Sequence, residues 1–66
     1  MRGVVVEFDE ARGLGRVSLD GGETLGFHCL SLSDGSRTIA VGARVRVGRA
    51  VGRLGRDEAI DITVEP

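Results

Sequence analysis

The stretch Arg12-Gly13-Leu14-Gly15-Arg16-Val17, followed further on by Phe27-His28, holds most of the side chains that could do chemistry in this chain. Arginine and histidine can stack on a nucleobase and hydrogen-bond to phosphate or base edges, and phenylalanine can stack. Phe8 precedes this stretch and Arg37 follows it. Enzyme chemistry is harder to place. His28 and Cys29 are neighbours, and neighbours on a regular strand point to opposite faces, so they form no nucleophile–base pair unless the strand ends between them. One histidine and one cysteine do not supply a four-ligand zinc site. Gly13-Leu14-Gly15 lacks the third glycine, the helix and the βαβ frame of a dinucleotide site, and a chain without lysine has no Walker A loop. We expect no catalytic residues, no metal and no cofactor.

These residues must be positioned by β-strands. Val4-Val5-Val6-Glu7-Phe8 is a β-branched run ending in the polar turn Asp9 to Gly13. Val17 and Leu19 alternate with Arg16, Ser18 and Asp20, and Asp20-Gly21-Gly22 signals a hairpin. Leu25 and Phe27 alternate with Gly26 and His28, Val45 and Val47 with Arg44 and Arg46, and Ile60, Ile62 and Val64 with Asp61, Thr63 and Glu65. Period-2 alternation in these runs predicts five strands, each burying one face. No segment holds helical spacing, although Leu30 to Ser33 can form a single turn after the third strand and Asp34 to Arg37 reads as a loop. Closing five short strands into a small barrel removes their exposed edges.

With 66 residues the chain is one small domain, 1–66, too short for a deep cleft. The net charge of −1 advertises no global basic field. The charge is uneven, however. Residues 1–36 carry three arginines and six acids, for −3, and residues 37–66 carry six arginines and four acids, for +2. From Arg37 to Arg56 there is no acid, and the acids of the last segment, from Asp57, can shield those arginines within the molecule. All basic residues are arginine, which suits phosphate and base recognition and equally reflects codon bias in a GC-rich genome. A single Cys29 excludes an intrachain disulfide and fits a reducing compartment. Met1-Arg2-Gly3 does not open a signal peptide, and no apolar run reaches membrane-spanning length. The expectation is a soluble, cytoplasmic, bacterial protein with no membrane association, a monomer or weak dimer.

The order and spacing of these segments resemble the bacterial cold-shock protein family over nearly the whole chain. That family's first motif reads Lys-Gly-aromatic-Gly-Phe-Ile and its second Val-Phe-Val-His-Phe, beside Arg12 to Val17 and Leu25 to Cys29 here. Gly3 to Asp9 is similar to the family's first strand, Asp20-Gly21-Gly22-Glu23 to its second hairpin turn, and Asp34 to Ile39 to its long loop. Gly42 to Val47 is similar to the start of its fourth strand, and Leu54-Gly55 with Ala59 falls near its closing segment. The resemblance implies a five-stranded antiparallel OB-type barrel that binds single-stranded RNA or DNA on the face of strands 1 to 3. The implied nucleic-acid contacts are Phe8, Arg12, Leu14, Arg16, His28 and Arg37.

The chain departs from the family where bases stack. The strand-1 tryptophan is Glu7, the first motif's aromatics are Leu14 and Arg16, and the second motif's outward and last phenylalanines are Gly26 and Cys29. Ser36 stands for the loop aromatic. Phe8 and His28 persist, Phe27 reads as core, and Phe8 is either a half-exposed platform ring or core. Each lost stack is worth about 1–3 kcal/mol. Losing several weakens binding by about a thousandfold unless something replaces them. Two roles are open to Arg16: a cationic stacker in place of an aromatic, or the cross-strand partner of Glu7. Binding is therefore expected to be weak, arginine-assisted and steeply salt-dependent. The alternative is a barrel that has lost nucleic acid and uses the same flattened face, with Leu14, Gly26 and Cys29, to bind a protein partner.

Overall fold

In a computed structural model, which describes residues 1–52 and 55–66, the chain is all-β. Its strands are β1 (Arg2–Asp9), β2 (Leu14–Leu19), β3 (Thr24–His28), β4 (Arg44–Val51) and β5 (Asp57–Val64), with a 3-10 turn at Cys29–Ser31. Leu54, assigned above to the closing segment, lies outside the described residues. The strands close into a barrel in the order β1-β2-β3-β5-β4. Val5, Val17, Leu25, Phe27, Val45, Val47, Ala59 and Ile62 lie inside, each at most 5 % exposed. In β5 the expected inward alternation of Ile60, Ile62 and Val64 fails: the register against β4 runs Arg46↔Thr63 and then Gly48↔Ile60, which gives β5 an extra residue, and Asp61 takes a left-handed φ of 50°. That bulge reverses the phase, so Ala59 and Ile62 point inward and Val64 is exposed. Leu32, just past the 3-10 turn, is also buried in the core.

The barrel is not purely antiparallel, which corrects the expectation above. β3 and β5 run parallel, paired at Gly26↔Glu58, while every other neighbouring pair of strands is antiparallel. Parity requires this: directions cannot alternate all the way round a ring with an odd number of strands. The bridge Leu32↔Ile62 continues the seam, with Ser33 N–H donating to the Ile62 carbonyl at 2.8 Å.

Side chains reinforce this sparsely paired seam. Arg49 of β4 donates to Glu23, beside the β2–β3 turn, at 2.9 Å and to Asp57, at the head of β5, at 2.6 Å. These charge-assisted bonds clip β4 and β5 to the turn that leads into β3. The hydrogen bonds from Arg49 hold the Glu23 carboxyl below its ordinary value of 4.5 and raise the Arg49 guanidinium. A carboxyl depressed in the folded state stabilises the fold above its unfolded pKa and loses that contribution as pH falls through its folded value. Wild type is therefore expected to lose more thermal stability than Glu23→Gln between pH 7 and about pH 3. Circular-dichroism melts of both proteins check this; equal losses would mean that the clip does not couple to folding.

A bulge in β1 sets the geometry of the outer face of β1 to β3. The register runs Val5↔Val17 and then Glu7↔Arg16, so Val6 is the extra residue. The slip reverses the phase of the strand beyond it. Phe8 consequently lies opposite the inward Gly15 and packs against the core. Its ring stacks on Phe27 with centroids 6.0 Å apart and planes 7° apart.

Candidate nucleic-acid interface

The outward side chains of β1, β2 and β3 form cross-strand rows. One row runs Glu7↔Arg16↔Gly26 and crosses the parallel seam to Glu58; the next runs Asp9↔Leu14↔His28. Successive outward residues on one strand fall in successive rows, so Leu14 and Arg16 stand side by side on β2 and Gly26 and His28 on β3.

Arg16 meets Glu7 in a paired geometry. Nε donates to Oε1 at 3.0 Å and Nη2 to Oε2 at 3.4 Å, with both side chains more than half exposed. Of the two roles open to Arg16 from sequence, the ion pair is therefore formed. It leaves the two N–H groups of Nη1 and one of Nη2 unspent on Glu7. Arg12 lies near Asp9, at 3.7 Å, in the β1–β2 turn. There the Asp9 carboxylate accepts from the Ala11 and Arg12 backbone N–H groups at 3.1 and 3.3 Å, and Gly13 takes a left-handed φ of 67°. The Cys29 thiol occupies the space where a Cβ on Gly13 would stand.

His28 ends β3, and its Nδ1 accepts from the Leu30 backbone N–H at 3.1 Å, capping the 3-10 turn. A neutral ring accepting at Nδ1 carries its proton on Nε2, which makes Nε2–H the donor available to a ligand. The strand does end between His28 and Cys29, and Sγ lies 3.8 Å from Nδ1. That nitrogen is already engaged by Leu30, and Cys29 is half-buried against the core. The pair is thus a packing contact around a cap.

Leu14, Arg16, Gly26 and His28 line a shallow open groove of about 780 Å³ whose far wall includes Arg56 and Glu58. A second groove of about 210 Å³, lined by Glu7, Asp9 and Arg12, meets the first at Leu14–Arg16. The structure thus gathers Leu14, Arg16 and His28 into one site and sets Arg12 at its margin. It does not bring in the other two residues named from sequence. The Phe8 ring is turned inward, and Arg37 sits on the loop before β4 and lines neither groove. Arg56 and Glu58 were missed. Their signal was the parity of the barrel, which requires a parallel pair of strands and so can set the head of β5 beside β3.

Glu7 and Asp9 offset Arg16 and Arg12 on the platform. Across the groove, Glu23 and Asp57 are engaged by Arg49, and the Glu58 carboxylate leans against the α-carbon of Gly52. The face is close to neutral, able to hydrogen-bond and floored by bare backbone at Gly26. Among the described residues no cluster of histidine, cysteine and acid suits a metal ion, and no helix is long and apolar enough to cross a membrane. The chain matches none of the protein-family models and none of the curated proteins with which it was compared.

Proposed function

We propose that this protein is an OB-type, cold-shock-like barrel that binds single-stranded RNA or DNA weakly in the groove over β2 and β3. The observation that carries the reading is the convergence of Leu14, Arg16 and His28 around one open groove with a backbone floor. Leu14 offers an apolar surface to a base, Arg16 a guanidinium plane and unspent donors, and His28 an imidazole with a free Nε2–H. The similarity of Arg12 to Val17 and Leu25 to Cys29 to the cold-shock motifs supports the same reading.

The ion pairs change the expected salt dependence. With Arg16 and Arg12 already facing carboxylates, few counterions are released, so the salt slope is shallow rather than steep. Fluorescence anisotropy of a labelled single strand at low and physiological salt tests both points; the label sits on the nucleic acid because the protein has no tryptophan. We expect micromolar affinity and a loss of about tenfold or more in Arg16→Ala/His28→Ala, one stacking contact being worth about 1–3 kcal/mol. Unchanged affinity in that variant would reject the site.

A protein partner is the second reading, favoured by Leu14, opposite His28 on β2, and Leu30, two residues past it, which are 47 % and 84 % exposed. Recovery of one protein and no nucleic acid on immobilised wild type, lost in Leu14→Ser/Leu30→Ser, would select it.

A further inference from the structure

Gly26 lies in one row between a donor and an acceptor. Its register partners are Arg16 on β2 and Glu58 on β5. Neighbouring strands stand about 4.8 Å apart, so these side chains rise from stems about 10 Å apart. The floor between them is bare: a Cβ on Gly26 would meet nothing nearer than the Gly15 carbonyl oxygen at 3.8 Å. Glu7 takes Nε and one edge of Nη2 from Arg16, which fixes the guanidinium plane and leaves the remaining N–H groups for a ligand. Glu58 is acceptor-only and takes part in no ion pair among the described residues; its carboxylate rests against Gly52, just past β4, and must turn toward Gly26 to meet a base.

We propose that this slot selects guanine among the bases of a bound single strand. This rests on the nucleic-acid reading and names its base preference. Guanine carries two adjacent acceptors, O6 and N7, on one edge, the pair that an arginine fork recognises. Its N1–H and N2–H2 are adjacent donors on another edge, the complement of a carboxylate. Adenine and cytosine offer no such pair of adjacent acceptors to an arginine with a donor pair left for a carboxylate. Thymine and uracil have a single N–H donor. The neutralised pair Glu7–Arg16 also suits a neutral base better than a phosphate, whose charge Glu7 repels.

The test is anisotropy with labelled oligothymidine strands that carry, at one central position, guanine, hypoxanthine, adenine or thymine. A single guanine keeps the strands free of quadruplexes. Wild type is expected to bind the guanine strand at least about fivefold more tightly than the all-thymine strand, the low end of what one bidentate contact provides. Hypoxanthine, which lacks the N2 amine, is expected between them. In Glu58→Gln and in Arg16→Ala the guanine-to-thymine ratio is expected to fall to within about twofold, with folding verified by thermal melts. Measurable binding of all four strands with equal affinity would overturn the base preference and leave the nucleic-acid reading standing. A ratio unchanged in both variants would also overturn it. Absence of binding to every strand would remove both.

Discussion

Phe27→Ala is expected to yield a chain that does not fold. Phe27 is 3 % exposed, stands in the inward row between Gly15 and the core, and stacks against Phe8. Truncating a buried phenylalanine costs about 3–5 kcal/mol. A domain of this size has a total stability of roughly 3–10 kcal/mol, and it contains only two phenylalanines, with no tryptophan or tyrosine to share the load. Phe27→Leu keeps most of the volume and is expected to stay folded, losing about 1 kcal/mol. Phe8→Ala lies between, because the Phe8 ring is only half-buried. Amide proton dispersion and urea titration followed by circular dichroism distinguish the three. A cooperative transition for Phe27→Ala near that of wild type would mean that the stacked pair is not part of the core.

Gly15→Ala is expected to cost about 3 kcal/mol, the upper end of overpacking effects. Its Cβ would lie 2.5 Å from Phe27 Cζ and 2.7 Å from the Glu7 carbonyl oxygen. The first obstacle is a rigid ring and the second is backbone, so neither yields by a rotamer change. The melting temperature should fall by roughly 15–20 °C, since 1 kcal/mol shifts a domain of this size by about 4–8 °C. Gly26→Ala is the matched control on the opposite side of the pleat, where the nearest atom is 3.8 Å away. It is expected to change stability by less than about 0.5 kcal/mol. Equal effects at the two glycines would contradict the assignment of inward and outward faces.

The two glycines also show how much of the molecule was legible in the residues. Alternation is a local property, so the five strands and the inward residues of β2, β3 and β4 could be read directly, whereas in β5 a bulge at Asp61 replaced the expected Ile60 and Val64 by Ala59. The parallel seam was available too, because an odd ring cannot alternate, but that inference needs closure and counting rather than pattern. The β1 bulge had no such signal. No glycine marks it, and Val4-Val5-Val6-Glu7-Phe8 reads equally well as an unbroken strand. Missing that extra residue left the phase of Phe8 open between platform and core. The Glu7–Arg16 pair was foreseeable as one of two roles, since it follows from placing the two strands side by side. Arg56 and Glu58 had only the signal of parity, which requires one parallel pair but does not say which strands form it, and the side chains across a groove depend on which strand closes the barrel. Gly26 was legible only as a missing aromatic; its place between Arg16 and Glu58 comes from the two registers that meet there.

Binding in the groove over β2 and β3 is tested most directly by titrating isotopically labelled protein with a short unlabelled single-stranded oligonucleotide, followed by two-dimensional amide NMR. Fast-exchange shifts are expected at residues 14–16, 24–28 and 56–58, with little change at the loop around Arg37 and at the outward residues of β4. An absence of shifts at millimolar oligonucleotide, or shifts confined to the arginines of β4, would contradict binding in that groove.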